Sequence, residues 1–182
     1  VIVVTSSVPG EGKSTTSGNL AIALAQSGNS VLLVDCDMRK PSIHKKFKIS
    51  NAAGTAELLL RKKLFEEVAN KYNENLTIIT AGKIPPNPSE MLASRAMTAF
   101  IEEMKKEFKY IILDTPPLQA VTDAQVLSTK ADGVLLVIRA GSTKKEMVLN
   151  SVDLINKVHG KVIGTVLNGV ENKKNNYYYY GE

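Results

Sequence analysis

The sequence predicts an α/β protein with a doubly wound, mainly parallel sheet and helices on both faces. Two observations carry this prediction. Short apolar segments alternate along the chain with amphipathic helical segments, and this alternation is typical of crossover connections between parallel strands. Most of the apolar segments are continuous β-branched runs, as expected for strands buried on both faces. A chain of 182 residues is long enough to enclose a core between such layers.

The elements follow one another without repeats or an internal linker. The predicted strands are residues 1–5, 31–35, 76–80, 110–114, 133–138 and 162–168. The predicted helices are residues 14–26, 55–62, 88–106, 122–128 and 144–158. Residues 1–170 are expected to form one domain, and residues 171–182 a flexible tail. Ligands of such sheets bind at the carboxyl ends of the strands, so the residues that follow each strand are the ones to inspect.

The first strand leads into a glycine-punctuated loop, and a helix opens directly after it. Gly10 and Gly12 let successive N–H groups point at one anion, and the helix N-terminus adds its positive dipole. Ser7 stands where the G-x-x-x-x-G-K-[ST] pattern has glycine, and a small residue can make the same turn. The loop predicts a nucleoside triphosphate site. Its predicted nucleotide-binding residues are Pro9, Gly10, Glu11, Gly12, Lys13, Ser14 and Thr15.

Carboxylates follow two further strands. Asp35 and Asp37 alternate with Cys36, so both point to one side of an extended segment, and Asp114 ends another apolar strand before two prolines. Together with the Ser14 hydroxyl, Asp37 and Asp114 predict a Mg²⁺ site beside the triphosphate, because Mg²⁺ prefers oxygen ligands. The alternative is that these aspartates cap the helices that follow them.

Three polar residues near other strand ends allow two interpretations each. Arg39 and Arg139 are candidates for stabilising charge on a transferring phosphoryl group, or are surface arginines in ion pairs. Asn168 is a candidate hydrogen-bond partner for the adenine edge, or a turn residue before Gly169.

The C-terminal residues contain an unusual tyrosine cluster. These consecutive tyrosines are Tyr177, Tyr178, Tyr179 and Tyr180. Aromatic residues are scarce in flexible tails, so such a run needs an explanation. A phenol with a pKa near 10 is a poor nucleophile at neutral pH, but a carboxylate within reach can accept its proton. Asp35 or Asp37 beside a γ-phosphate is suited to this role, and the tail is then a phosphate acceptor.

These motifs resemble the P-loop tyrosine kinases of bacteria, in the capsule and exopolysaccharide regulator family of Gram-positive species. The resemblance rests on residues 7–14 as a Walker A variant, 31–39 as an apolar-D-x-D-x-R motif, 111–117 as an apolar-D-T-P-P Walker B motif, and the tyrosine cluster. It covers essentially the whole chain. It implies that Lys13 and Ser14 handle phosphate and metal, that Asp35 orients or deprotonates the tyrosine, and that Asp37 and Asp114 serve the metal.

The resemblance also implies cofactors and partners. It implies ATP and Mg²⁺, phosphorylation of tail tyrosines in neighbouring copies, and a membrane-spanning activator that acts through its cytoplasmic segment. A cytoplasmic chain recruited to the inner face of the membrane follows from this. The family's subunit contacts use a Glu-x-x-Arg-x-x-Arg helix ahead of the first strand. This sequence begins at that strand, so a homo-oligomeric ring is expected for a chain that has the helix.

Two other functions fit the same fold. Switch ATPases of the partitioning and division-site type carry a signature lysine five residues before the P-loop lysine, and Val8 at that position disfavours them. A non-catalytic ATP-binding scaffold would not require the full set of Lys13, Ser14, Asp35, Asp37 and Asp114. Nucleic acid is not an expected partner, because the net charge is only +5 and the 5% of aromatic residues are not interleaved with basic ones.

Overall fold

The computed structural model describes residues 1–171, and the predicted α/β fold is confirmed in them. A sheet of seven strands has the order β3-β4-β2-β5-β1-β6-β7. All neighbouring strands are parallel except the antiparallel pair β3 and β4. The strands are β1 (Ile2–Ser6), β2 (Val31–Asp35), β3 (Ala69–Lys71), β4 (Leu76–Ile79), β5 (Tyr110–Asp114), β6 (Gly133–Arg139) and β7 (Val162–Asn168).

Helices cover both faces of this sheet. They are α1 (Lys13–Gln26), α2 (Ile43–Phe47), α3 (Thr55–Leu59), α4 (Phe65–Val68), α5 (Pro88–Ala93), α6 (Arg95–Met104), α7 (Asp123–Ser128) and α8 (Lys145–Lys157). One apolar cluster joins the sheet to α1 and α2 through residues such as Ala21 and Ile43. The larger cluster joins the other face to α5, α6, α7 and α8, with Leu92, Ile101 and Leu127 among its buried members. The central strands are therefore buried on both faces, as their continuous apolar runs predict.

The structure differs from the predicted elements in two predicted helices and in three short elements that were not predicted. The predicted helix 88–106 is two helices, because the extended Ser94 interrupts it and its hydroxyl accepts a hydrogen bond from the Met97 N–H at 3.3 Å. The helix predicted for residues 55–62 ends at Leu59, and Arg61 has a left-handed backbone with φ of 56°. The short α2 and α4 and the polar edge strand β3 were not predicted, since elements of three to five residues leave too few positions for a period.

Strand order brings the acidic strand ends together beside the P-loop. β5 lies between β1 and β2, and Asp114 is the register partner of both Val4 and Asp35. The carboxyl ends of these strands therefore form one edge of the sheet, directly below the loop that follows β1. None of the helices in residues 1–171 is long and apolar enough to cross a membrane.

Candidate functional site

The P-loop, residues 7–14, has the curled conformation that its glycines predict. Gly10 and Gly12 have φ of 85° and 94°, in the left-handed region that favours glycine. Gly12 is also enclosed, since a Cβ there would collide with the side-chain amide of Asn168. That amide donates a hydrogen bond to the Glu11 carbonyl at 2.9 Å. Asn168 therefore supports the P-loop itself, which is a role that the sequence did not predict.

Side chains from the neighbouring loop and helix hold the P-loop in place. The buried Glu11 carboxylate accepts hydrogen bonds from the Val8 N–H at 2.8 Å and from the Thr143 hydroxyl. Ser7 is fully buried, and its hydroxyl lies 2.9 Å from that of Ser151 on α8. The serine that departs from the P-loop pattern thus makes a contact that glycine lacks. The Glu11 carboxylate is bonded to Val8 and Thr143 and does not line the cavity, so only the Glu11 main chain can contribute to nucleotide binding.

Lys13 is surrounded by two carboxylates. Its Nζ lies 2.8 Å from Oδ2 of Asp37 and 4.0 Å from Oδ2 of Asp114. Burial disfavours the charged ammonium, but Asp114 and Asp37 outweigh this effect and raise the pKa of Lys13. The amine therefore keeps its charge in the buried site. The other oxygen of Asp114 accepts a hydrogen bond from the Ser17 hydroxyl at 2.9 Å, which fixes the carboxylate.

The site fits a Mg²⁺ ion that is coordinated partly by protein oxygens and partly by the oxygens of a triphosphate. Oδ2 of the fully buried Asp114 has no hydrogen-bond partner, and Asp37 and the Ser14 hydroxyl belong to the same site. No group of three or more carboxylate, histidine or cysteine side chains suited to a metal occurs in residues 1–171. This agrees with the usual preference of Mg²⁺ for one or two protein carboxylates plus phosphate oxygens and water.

Asp35 lies behind the cavity and anchors the segment that leads to α2. Its carboxylate accepts hydrogen bonds from the N–H groups of Asp37, Ser42 and Ile43 at 3.1, 3.2 and 3.1 Å. Burial and the charge of Asp114 raise the pKa of Asp35 to about 8, although the main-chain donors oppose the shift. The helix-capping role that the sequence offered as an alternative therefore describes this residue in the structure. Contact with a bound tyrosine would require these hydrogen bonds to open.

Arg39 forms an ion pair with a buried carboxylate. Its Nε and Nη2 lie 3.1 and 3.2 Å from the two oxygens of Asp123, and Nη2 lies 2.9 Å from the Ser89 hydroxyl. Asp123 is fully buried at the start of α7, whereas the Arg39 side chain is 39% exposed at the cavity. Of the two interpretations left open by the sequence, the ion pair is the one present here. Arg139 instead donates to the Gly10 carbonyl at 3.0 Å.

The P-loop forms the floor of an open cavity of about 400 Å³. One wall comes from the segment after β2 and is cationic, with Arg39, Lys40 and Lys46. Another part of the lining comes from the segment after β5 and is apolar, with Pro117 and Val121 among its residues. An anionic chain on the floor and an aromatic ring against the apolar wall would both suit this shape.

Several residues of the site were not predicted from the sequence. Thr143 and Ser151 are far from the motifs along the chain and reach the P-loop only through tertiary packing. Asp123 follows the Walker B motif by six residues, but the sequence predicted it only as part of a helix. Lys46 belongs to a run of lysines that reads as a solvated surface, yet it lines the cavity. The predicted acceptors Tyr177 to Tyr180 lie outside the described residues.

Comparison with known proteins identifies the family. Residues 1–166 match the model of the AAA domain family. Tyrosine-protein kinase YwqD of Bacillus subtilis is 42% identical over 182 residues, which is 99% of this chain and 77% of that protein. The putative tyrosine-protein kinase CapB of Staphylococcus aureus is 40% identical over 184 residues, or 100% of this chain and 81% of that protein.

Solved structures give the same result. The kinase domain of the Escherichia coli tyrosine kinase ETK has a TM-score of 0.91 and 34% identity, covering 100% of this chain and 71% of that one. The chimerical protein CapA2B2 has a TM-score of 0.87 and 40% identity, with coverage of 91% and 74%. A plasmid partition protein from Borrelia burgdorferi, at 21% identity, shares the fold alone, with a TM-score of 0.74 and coverage of 97% and 82%.

The kinase prediction is thus confirmed over the partitioning alternative. The chain belongs to the family of bacterial protein-tyrosine kinases that have a P-loop nucleotide-binding fold and regulate capsule and exopolysaccharide synthesis.

Proposed function

We propose that this kinase transfers the γ-phosphoryl group of ATP to Tyr177, Tyr178, Tyr179 and Tyr180 in the tail of another copy. The observation that carries the proposal is the lining of the cavity, which combines Lys13 and Asp37 with an apolar wall. A hydrolase needs only a water molecule at this place. An apolar wall is instead suited to the ring of a tyrosine.

The transfer requires one bond to form and one to break. The tyrosine oxygen attacks the γ-phosphorus, and the bond from that phosphorus to the bridging oxygen of the β-phosphate breaks, so that ADP leaves. The phenol proton passes to a carboxylate of the site. Lys13 is placed to neutralise charge on the β- and γ-phosphates, and Ser14, Asp37 and Asp114 would hold Mg²⁺, which supplies further positive charge there.

Asp35 at the end of β2 and Asp37 just after it are proposed to have different roles. Asp37 lines the cavity and is paired only with Lys13 and with the Lys40 N–H, so it meets the acceptor hydroxyl once Lys13 turns to the phosphates. Asp35 holds the segment that carries Asp37 and keeps α2 in place. The raised pKa of Asp35 suits a second proton acceptor near neutral pH if its hydrogen bonds open.

The partners of this kinase follow from its family. We expect a membrane-spanning activator whose cytoplasmic segment stimulates transfer, and a location at the inner face of the membrane where that segment lies. We also expect a homo-oligomeric ring in a chain that carries the N-terminal contact helix. Residues 1–170 would act as the catalytic domain and residues 171–182 as the acceptor tail.

Mass spectrometry of the tail peptide tests this function. The chain is incubated with Mg-ATP and the activating cytoplasmic segment, and phosphate is expected on Tyr177 to Tyr180. Lys13→Met should abolish the labelling, because the phosphates lose their principal cation. Lys157→Met, at an exposed position of α8, is the matched control and should label normally. An unmodified tail from a wild-type chain that still hydrolyses ATP would contradict the proposal that the tail tyrosines are the phosphate acceptors.

A further inference from the structure

Lys46 is the one member of the lysine run at residues 45–48 that reaches the cavity. Its Nζ lies 2.8 Å from the hydroxyl of Thr15, and both residues line the cavity. Thr15 is in the first turn of α1, directly after Lys13 and Ser14. A residue of α2 therefore extends to the N-terminus of α1, across the entrance to the P-loop.

This ammonium group lies beside other positive charge. The first turn of a helix carries partial positive charge on its free N–H groups, and Lys13, the first residue of α1, adds a full charge. Among the ion pairs of residues 1–171, none neutralises Lys46 with a carboxylate, whereas Lys13 has Asp37 and Arg39 has Asp123. A phosphate group between Lys46 and the helix N-terminus would satisfy all of these charges.

The place of Lys46 determines which phosphates it meets. A P-loop lysine serves the β- and γ-phosphates, and the main-chain N–H groups of the loop and first helical turn surround the α- and β-phosphates. Lys46 contacts Thr15 in that turn. Lys40 also lines the cavity, but the hydrogen bond that it makes there runs from its main-chain N–H to Asp37 and not to α1.

We propose that Lys46 is a nucleotide-binding residue that contacts the α- and β-phosphates of ATP. Val8 removes the signature lysine of the switch ATPases, so in this chain the second lysine at the phosphates comes from α2 of the same molecule. Asp35 contributes by holding the first N–H groups of α2, and thereby fixes the distance from α2 to α1. The inference rests on the proposed ATP site.

The test compares two lysines of one helical turn. Lys45 and Lys46 are both exposed and both lie in the last turn of α2, where positive charge stabilises a helix, but only Lys46 lines the cavity. Calorimetric titration of the full chain with Mg-ATP and with Mg-ADP should show about tenfold weaker binding for Lys46→Gln with both nucleotides. Lys45→Gln should bind as the wild type does, and Lys46→Arg should recover most of the affinity.

The remaining outcomes contradict the proposal in distinguishable ways. Equal affinities of Lys46→Gln, Lys45→Gln and the wild type would overturn the assignment of Lys46 and leave the ATP site intact. A loss confined to ATP would place Lys46 at the γ-phosphate and overturn the assignment to the α- and β-phosphates. An unchanged nucleotide affinity with a higher KM for a tyrosine peptide would assign Lys46 to the acceptor instead. A wild-type chain that binds neither nucleotide would overturn the proposed function itself.

Discussion

The segments after β2 and β5 both line the cavity and are held by different forces. The β5 loop, residues 115–121, is fixed by main-chain hydrogen bonds. The N–H groups of Thr115, Leu118 and Gln119 donate to carbonyls of β1 and the P-loop at 3.1, 2.9 and 3.1 Å. The β2 loop, residues 36–42, is fixed by charged side chains, namely the carboxylates of Asp35 and Asp37 and the ion pair of Arg39.

This difference indicates which wall can respond to ligands. Main-chain hydrogen bonds do not change with pH or with the arrival of a phosphate. Carboxylates do change, because they titrate with pH and because a triphosphate competes for Lys13 and a metal ion competes for Asp37. We therefore expect the β2 loop to rearrange during catalysis and the β5 loop to remain a fixed surface for the acceptor ring.

The largest effect on folding is expected at the ion pair of the β2 loop. Arg39→Gln leaves Asp123 fully buried without its cation, while the Ser89 hydroxyl remains as a partner. Because the Arg39 side chain is 39% exposed, the expected loss in the free energy of unfolding is reduced by solvent screening to about 1–3 kcal/mol. Urea unfolding at neutral pH measures it.

Arg139→Gln is the matched control for this measurement. Arg139 is an exposed arginine beside the same P-loop, and it donates to the Gly10 carbonyl. It should cost less than about 0.5 kcal/mol, as is usual for an exposed position. Equal losses for Arg39→Gln and Arg139→Gln would show that the ion pair does not hold the β2 loop.

A pH-dependent effect is expected from Asp35. Its pKa is raised from 3.8 to about 8 in the folded chain, so the folded state binds a proton more tightly than the unfolded state. The resulting stabilisation is complete below about pH 4 and is lost as the pH rises through about 8. In the absence of nucleotide and metal, the free energy of unfolding should therefore fall over this window.

Asp35→Asn provides the comparison for the pH series. The variant loses hydrogen bonds to main-chain N–H groups at every pH, but it cannot titrate, so the slope of stability against pH should be smaller than in the wild type. A wild-type stability that rises from pH 4 to pH 8, or a slope unchanged in Asp35→Asn, would contradict the raised pKa.

The smallest effect is expected in the β5 loop. Thr115→Val removes one hydroxyl that donates to the Val4 carbonyl at 2.9 Å, and the Thr115 N–H still donates to the same oxygen. The expected loss is about 1 kcal/mol, with no change in its pH dependence and no change in affinity for Mg-ATP. Thermal unfolding with and without Mg-ATP measures this. If Mg-ATP shifted the Tm of Thr115→Val by an amount very different from its shift of the wild-type Tm, the β5 loop would not be a fixed wall.

The sequence predicted the fold and the floor of the site because both depend on local patterns. Strands 31–35, 110–114 and 162–168 are confirmed to the residue, since their boundaries are marked by abrupt changes from apolar to polar side chains. The P-loop glycines predict their own left-handed conformations. Register then brings Asp35 and Asp114 together, as parallel strand ends require.

Tertiary packing determines what the sequence did not predict. The contacts of Asn168 and Thr143 with the P-loop join segments more than one hundred residues apart. The orientation of Asp35 toward α2, rather than toward the cavity with Asp37, depends on a five-residue helix that has no detectable period. Lys46 acquires a site role only because that helix packs beside α1.

Mixing two copies, neither of which can label its own tail, tests the central claim most directly. One copy carries Lys13→Met and an intact tail, and the other has an intact P-loop with Tyr177 to Tyr180 changed to phenylalanine. With Mg-ATP and the activating segment, phosphate should appear on the tail of the Lys13→Met copy, because the second copy supplies the catalytic site. An unlabelled Lys13→Met copy, under conditions in which the wild-type chain labels its own tail, would contradict transfer between copies.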